Sequence, residues 1–217
     1  MEKIDGTNYV PGKLYDLIDQ TCAAPAACSY VEKDTPWRWI LIGIIGNGNN
    51  HSLLGCFQVS GEGHMRTVKA LTVQEYESSI APSRFADSIH ELTSSGKYPD
   101  YAIAIDGEGV GATTADVLEE KYGIKVQRIR WGRKPPLSLI APRYLNQRAY
   151  ANFAAKRALE DGRLQLRPDQ IALKQARHIR CGMNSEGELF IVPKKDMLMP
   201  VEHWDIYCFA QLVDIND

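Results

Sequence analysis

Several motifs that would assign a function at once are missing from this chain of 217 residues. No glycine-lysine-serine or glycine-lysine-threonine triplet occurs, so a P-loop that hydrolyses nucleotide is excluded. No apolar run approaches the roughly 20 residues that cross a bilayer, and the N-terminus has no basic segment followed by an apolar stretch. We therefore expect a soluble, intracellular protein with no membrane partner.

The chain is also poor in metal-binding and disulfide patterns. Its five cysteines are odd in number and form no Cys-x-x-Cys pair, which supports neither a zinc ribbon nor a disulfide framework. The five histidines show no metal-ligand spacing either. We expect reduced, mostly buried thiols and histidines that lie mostly at the surface.

No Pro/Gly/Ser-rich linker divides the chain, and its hydrophobic content of 44% is enough for one substantial core. The sequence therefore predicts a single domain over residues 1–217. Within it, residues 1–35 form a lead-in segment that packs on a core spanning 36–217.

The net charge of -2 hides a strong polarity along the chain. Residues 121–180 hold 15 Lys and Arg against 3 acids, a net of +12, so the rest carries 10 minus 24, or -14. This predicts a polyanion-binding face beside a site that holds carboxylates, although ordinary solvated helix faces would also explain it. The segment also contains side chains that can stack on or hydrogen-bond to nucleic acid: Tyr122, Trp131, Tyr144, Asn146, Gln147 and Tyr150.

Apolar patterning predicts a sheet first and helices around it. WILIGII, from Trp39, and LLGCFQV read as a hairpin, followed by a third strand near 65–73. Further strands are predicted in IKVQRIRW and GELFIV, the second leaving into a basic turn. Helices are predicted near 83–92, 113–122, 143–161 (with an apolar stripe of Leu145, Ala149, Phe153 and Leu159), 168–178 and after Pro200.

The stretch YAIAIDGEGVG places one acid, Asp106, at the end of a strand that is apolar on both faces. An acid in that position must be solvated, paired or bound to metal, so it is either a metal ligand or the cap of the next turn. The following Gly107, Gly109 and Gly111 do not have Rossmann spacing, and Asp106 would repel a phosphate.

A second pair of acids lies in the helix after Pro200, which we predict to be amphipathic. Glu202 and Asp205 are three residues apart and therefore share a face. They could be first-turn acids that the helix dipole favours, or they could join Asp106 in one site. The adjacent His203 is a further candidate for contact with a metal or phosphate.

Four stretches, in this order, resemble the C-terminal nuclease domain of the large terminase subunit of tailed bacteriophages. They are NYVPGKLYDLID, IDGEGVGATTADVLEEKYGIKVQRI, YLNQRAYANFAAKRALEDGRLQL and PKKDMLMPVEHWDIYCFA. The resemblance implies an α/β, RNase H-like fold, a mixed β-sheet flanked by helices on both faces. It also implies a metal-dependent endonuclease that cuts concatemeric double-stranded DNA during genome packaging in the cytoplasm of the infected host.

Carried onto this sequence, the resemblance makes Asp106 the second catalytic acid and Asp205 the last, with Glu202 as an auxiliary ligand. Lys195, or its neighbour Lys194, would lie near the substrate phosphate. The acids would hold two divalent ions, for which oxygen ligands suit Mg²⁺ or Mn²⁺. Implied partners are double-stranded DNA, the terminase ATPase domain, the small terminase subunit and the portal protein.

One position departs from the family pattern. The aspartate that normally ends the first strand and bridges both ions is matched here by Ile45, and the neutral or weakly basic residues after it cannot replace a carboxylate. The residues concerned are Asn47, Asn49, Asn50 and His51.

Three explanations of that departure stay open: a naturally degenerate nuclease, an engineered knock-out, or a rebuilt site in which Glu108 or Glu202 supplies the charge. The alternative function is a nuclease-fold module that binds DNA or docks on the portal without cutting. A different RNase H-like enzyme, such as a Holliday-junction resolvase or a transposase core, fits the pattern less well.

Overall fold

The chain builds two β-sheets with five α-helices in the part that the computed structural model describes, residues 9–22, 36–46, 50–96, 101–135 and 142–215. The strands are β1 Leu14–Asp16, β2 Arg38–Ile44, β3 Ser52–Ser60, β4 Thr67–Tyr76, β5 Tyr101–Asp106, β6 Gln127–Ile129, β7 Arg143–Tyr144, β8 Leu164–Gln165, β9 Arg180–Met183 and β10 Glu188–Ile191. The helices are α1 Pro82–Ser94, α2 Val110–Tyr122, α3 Gln147–Glu160, α4 Ile171–Ala176 and α5 Glu202–Phe209.

The larger sheet has six strands in the order β6-β5-β2-β3-β4-β8. Strands β2, β3 and β4 pair antiparallel, which confirms the predicted hairpin and third strand. Strand β5 returns parallel to β2, with Gly43 opposite Ile105, and β6 then pairs parallel to β5. The last residues of β2 and β5 therefore meet at one edge of the sheet.

Both faces of this sheet are covered, which explains why β2 is apolar at successive positions. Ile40, Ile42 and Ile44 belong to a core cluster with residues of α3, α4 and α5. Leu41 belongs to the cluster on the other face, with residues of α1 and α2. This arrangement is the mixed sheet flanked by helices on both faces that the sequence predicted.

The smaller sheet has the order β1-β9-β10-β7 and was predicted only in β10. Strand β1 comes from the predicted lead-in segment, and Leu17 and Ile18 just after it are fully buried. The described part of that segment, 9–22, thus packs on the core, while 1–8 and 23–35 lie outside the described residues. The division of the chain into one domain stays a prediction.

The helix predicted over 143–161 begins later than expected. Residues 143–144 form β7 instead, and α3 begins where the Asn146 side chain accepts a hydrogen bond of 2.9 Å from the Ala149 amide. Leu145 therefore lies outside the helix and is 38% exposed, whereas Ala149, Phe153 and Leu159 are buried as predicted.

Helix α4 also begins later, at Ile171 rather than at Pro168. The preceding Gln170 has φ of 57°, which breaks the helical path between the proline and the helix.

Helix α5 is not amphipathic, which corrects the prediction. Every residue from Trp204 to Phe209 is buried, and Glu202 is only 5% exposed. The reason is its position, because it packs on β2 and β3 and also against α3 and α4. Among the described residues, no helix is both long and apolar enough to cross a membrane.

Candidate functional site

Asp106 is the last residue of β5, and the backbone after it turns sharply to enclose its carboxylate. The Gly107 amide donates to the Ile129 carbonyl at 2.6 Å, and the Glu108 amide donates to Asp106 Oδ1 at 3.2 Å. Burial raises the pKa of Asp106 to about 6, although the Glu108 hydrogen bond and the Lys194 charge act in the opposite direction. Asp106 is therefore a half-buried acid held at a strand end.

The glycines after Asp106 serve this turn. A Cβ built at Gly111 would lie 2.0 Å from the Asp106 carbonyl oxygen, so only glycine lets α2 start so close to the strand. Gly109 adopts φ of 58°, in the left-handed region. Their spacing is thus explained by the packing of α2 against β5.

We expect Gly111→Ala to destabilise the fold and to displace the Asp106 backbone. Relieving a 2.0 Å contact requires a shift of α2 or β5, and such overpacking costs about 1–3 kcal/mol. Urea unfolding measures the loss. Thr113→Ala, at an exposed position on the same helix, is the control and should change stability by no more than about 0.5 kcal/mol. Equal stability of the two variants would contradict the packing role.

Asp205 and Glu202 lie on α5 and are buried together. Asp205 is 0% exposed; its Oδ1 has no hydrogen-bond partner among the described residues, and its Oδ2 contacts the ammonium of Lys194. Glu202 Oε2 is likewise buried without a partner. Buried carboxylate oxygens left in this state are costly unless a cation satisfies them.

Trp204 anchors the helix that carries these acids. Its indole Nε1 donates to Asn152 Oδ1 on α3 at 3.0 Å, and its backbone amide donates to Gln175 Oε1 on α4 at 3.1 Å. With its side chain fully buried, Trp204 fixes the rotation of α5 that aims Asp205 inward.

Lys194 supplies the cation nearest to Asp205. Its Nζ lies 2.6 Å from Asp205 Oδ2, although 42% of its side chain is exposed. Burial by itself would lower the pKa of Lys194, but attraction and a hydrogen bond to Asp205 outweigh it, so the pKa is raised. Because Lys194 and Asp205 both shift the pKa of Asp106, the structure brings these three charges together.

The position of Lys194 is fixed by Arg148, which the sequence reasoning left without a role. Arg148 is 8% exposed and donates from Nη1 to the Val192 carbonyl at 3.0 Å and from Nη2 to Met197 Sδ at 3.8 Å. These contacts hold both sides of the 3-10 turn Lys194–Asp196. The Asn-x-Arg pattern in the sequence was the signal that could have identified it.

The register of β2 against β5 decides which residue lies beside Asp106. The register that pairs Gly43 with Ile105 next brings Ile44 beside Asp106, so these two side chains point to the same face. Ile44 is 3% exposed in the cluster that includes α5, whereas Ile45 packs against the cluster on the other face. A one-residue offset in a strand reverses the face, so this register favours Ile44 over Ile45 as the neighbour of Asp106, and the match of the missing aspartate to Ile45 stays a prediction.

The other predicted residues are dispersed around this centre. Lys195 is exposed on the same turn as Lys194, and Glu108 is exposed after Asp106. His203 turns away from the acids and pairs through Nε2 with Glu75 Oε1 at 3.2 Å.

An open cleft of about 300 Å³ is lined by Asn50, Lys194 and Glu202 among others. Asn50 thus lies beside the site, and His51 is exposed. Asn47 and Asn49 lie outside the described residues.

The acids of this site offer a metal ion few preformed ligands. Across the described ranges, no group of three or more His, Cys, Asp or Glu side chains is arranged to hold one. The unpartnered oxygens of Asp205 and Glu202 nevertheless suit a hard cation, and Mg²⁺ is commonly held by one or two carboxylates with water and substrate completing its shell. Asp205 and Glu202 would therefore supply part of the shell of one divalent ion.

The basic segment 121–180 does not form one continuous positive face. Arg148, Lys156 and Arg163 are buried, and several others are engaged in ion pairs within the protein. The paired residues are Lys121 with Asp87, Arg128 with Asp116 and Glu119, Lys134 with Glu188, Arg167 with Asp169, and Arg180 with Asp16. The net of +12 overstates the positive surface.

Two aromatic residues of that segment, Trp131 and Tyr122, make their ring contacts within the protein. Trp131 is buried against Phe209, with ring centroids 4.3 Å apart. Tyr122 stacks on His90 at 3.9 Å and donates to Asp87 Oδ1 at 2.5 Å. Neither ring is placed to stack on a nucleic-acid base, contrary to the expectation from the sequence.

Comparison with known proteins identifies a protein with a related sequence and several solved structures with a similar fold. Over 185 residues, 82% of this chain, it is 35% identical to a protein of Enterobacteria phage P7 described as "Probable terminase, large subunit". The chain spans 37% of the length of that relative. No protein-family model matches the sequence.

Two solved structures share the fold. The large terminase of bacteriophage HK97 matches with a TM-score of 0.58 at 10% identity, over 92% of this chain and 43% of that one. The large terminase nuclease of thermophilic phage G20c matches with a TM-score of 0.53 at 13% identity, over 82% and 81%. At such identities the likeness concerns the fold, which is RNase H-like as predicted.

Proposed function

Since this chain belongs with the large terminase subunits in sequence and with their nuclease domains in fold, we propose that it is a metal-dependent DNA endonuclease of a genome-packaging motor. Its substrate is concatemeric double-stranded DNA. The observation that carries the proposal is the fully buried Asp205 carboxylate, whose Oδ1 has no hydrogen-bond partner among the described residues and whose charge acts on Asp106 at the end of β5.

Asp205, Asp106 and Glu202 would hold the divalent ion, which is Mg²⁺ or Mn²⁺ because all three offer oxygen ligands. When bound, such an ion activates water and stabilises the leaving oxygen of a phosphodiester. The G20c nuclease has been solved with magnesium and with cobalt bound, which supports divalent-ion use. A pKa of about 6 leaves Asp106 mostly ionised at pH 7 and able to serve as a ligand.

Lys194 and Lys195 have different roles in this proposal. Lys194 neutralises Asp205 inside the site, and Lys195, exposed on the same turn, would contact the DNA phosphate beside the scissile bond. Arg148 positions both through its contacts on either side of the turn.

A plasmid-nicking assay tests the proposal directly. We expect slow nicking of supercoiled plasmid with Mn²⁺ or Mg²⁺, none with chelator, and none from Asp106→Ala with either ion. The Asp106→Ala protein should stay folded, because removing a buried carboxylate with raised pKa offsets the packing that is lost. Glu120→Ala, at an exposed acid on α2, is the control and should nick at the original rate. Metal-dependent nicking by a folded Asp106→Ala protein would refute the site assignment.

A second candidate function is a nuclease-fold module that binds DNA without cutting it. The observation that favours it is Ile44, an apolar side chain next to Asp106 where a bridging carboxylate would be expected. Retained binding of duplex DNA, together with no nicking under any metal condition, would favour this candidate over the endonuclease.

Either candidate predicts DNA binding that weakens steeply with salt. Each phosphate contact adds about 0.9 to the slope of log K against log salt concentration, so several contacts lower the affinity by orders of magnitude between 50 and 200 mM. Fluorescence anisotropy with a labelled duplex measures the slope. Lys195→Ala should reduce the slope by about 1 without changing thermal stability, because Lys195 is exposed. An affinity that salt does not change would exclude a DNA-binding role.

The remaining partners follow from the same proposal. Since the P7 relative is much longer than this chain, we propose that the domain works with a terminase ATPase domain, a small terminase subunit and a portal protein in the host cytoplasm.

A further inference from the structure

The ion pair between Lys194 and Asp205 gives the two oxygens of the buried carboxylate different surroundings. Lys194 Nζ lies 2.6 Å from Oδ2, while Oδ1 is buried and has no hydrogen-bond partner among the described residues. One edge of the acid is thus already taken by a cation of the protein itself. The other edge remains available to an added ion.

The charges at the site match a single divalent ion. Asp106, Glu108, Glu202 and Asp205 contribute 4 negative charges, and Lys194 and Arg148 contribute 2 positive charges, so the sum is -2. Two divalent ions would leave this buried group with a net of +2, which a low-dielectric interior strongly disfavours. The carboxylate that could offset a second ion is missing, because Ile44 lies beside Asp106.

Lys194 is also held in place by contacts from outside the acidic group. Arg148 bonds to Val192 on one side of the turn and to Met197 on the other. The neighbouring Lys195 shares the turn and shows no ion pair in the described part of the chain. The structure therefore selects one of two adjacent lysines for the acid.

We propose that the Lys194 ammonium is the second cation of this site, so that the protein takes one divalent ion where a carboxylate-rich site takes two. The inference rests on the proposed function for the identity of the site, but it concerns ion stoichiometry only. Lys194 then acts as a positioning residue that keeps Oδ2 of Asp205 occupied.

Isothermal titration with Mn²⁺ in the absence of DNA tests this stoichiometry. We expect one ion per chain for the unchanged protein and for Ile44→Asp, and two for the double variant Ile44→Asp with Lys194→Met. The matched control, Ile44→Asp with Lys195→Met, should still take one ion, as should Ile44→Asp with Lys194→Arg, which retains the charge. Lys194→Met alone should bind its ion at least about tenfold more tightly, because a like charge is removed at close range.

Two ions in the unchanged protein, or in the Lys195→Met control, would overturn the inference, and so would no bound ion at all. One ion in Ile44→Asp with Lys194→Met would also overturn it, provided that thermal unfolding shows this double variant to be folded, and Ile44→Asp with Lys194→Gln replaces it if it is not. The nicking assay tests the proposed function separately. A protein that binds one Mn²⁺ and never nicks DNA would overturn the proposed function and leave the role of Lys194 unchanged.

Discussion

Ile44→Asp is expected to raise metal-dependent plasmid nicking by about 100-fold. The new carboxylate would point to the same face as Asp106 and would add a ligand to the ion that Asp106 and Asp205 hold. An added direct ligand is worth several kcal/mol of ion binding and transition-state stabilisation, and 2.7 kcal/mol corresponds to roughly 100-fold in rate. Initial nicking rates over a Mn²⁺ series would separate tighter ion binding from a faster reaction.

The stability of the same variant should depend on the ion. Ile44 is 3% exposed, so a carboxylate there loses apolar packing and becomes a buried charge, which costs about 2–5 kcal/mol in chelator. Adding Mn²⁺ should recover much of that loss, because the ion binds the folded state alone. Thermal unfolding with and without Mn²⁺ measures both quantities.

Ile45→Asp is the matched control. Its side chain packs on the opposite face of the sheet, against the cluster that includes Leu41, so it cannot reach the ion. Because Ile45 is only partly buried, this variant should lose less stability than Ile44→Asp, and it should gain neither nicking nor stabilisation by Mn²⁺. If Ile45→Asp activated the protein and Ile44→Asp did not, the register used here to place the site would be wrong.

The part of the site that the sequence predicted depends on local patterns. An apolar run that ends in one acid located Asp106. A strand buried on both faces can carry a carboxylate only where that group is solvated, paired or bound to metal. The 3-residue spacing of Glu202 and Asp205 placed both on one helix, and both are buried there. These signals are contained in a few consecutive residues.

The part that was missed depends on contacts between distant segments. The face of Ile44 follows from the pairing of β2 with β5, about 60 residues apart in the chain. Nothing in the sequence separates Lys194 from Lys195, and the choice is made by Asp205 on α5 and by Arg148 on α3. Local patterning cannot carry such information.

The basic segment shows the same limit for charge. A count along the chain cannot tell a solvated lysine from one such as Lys156, which is only 6% exposed. Arg163 is directed inward by hydrogen bonds to Arg66 O and Asp161 Oδ2. The charge count along the chain therefore predicted a larger polyanion-binding surface than the exposed basic residues provide.

Asp205→Asn is expected to abolish metal-dependent nicking, with a loss of at least about 10³-fold, while leaving the protein stable. Oδ1 of the buried Asp205 carboxylate is the oxygen left for an added ion, and the neutral amide of asparagine would not hold that ion. A loss of roughly 4 kcal/mol in transition-state stabilisation gives this factor. The measurement is nicking with Mn²⁺, together with the shift in thermal unfolding that Mn²⁺ causes, which should also disappear.

The expected stability of Asp205→Asn distinguishes a loss of function from a loss of folding. In chelator, Asp205 is a buried charge satisfied only by Lys194, whose side chain is 42% exposed and can return to water. Replacing it by a neutral side chain of the same shape should therefore change the free energy of unfolding by no more than about 1 kcal/mol. Trp204→Ala, one residue away, should cost about 3–5 kcal/mol, because it leaves a large cavity and removes the donor to Asn152 Oδ1. If Asp205→Asn destabilised the fold as much as Trp204→Ala does, Asp205 and Lys194 would be a structural ion pair and the site would have to lie elsewhere.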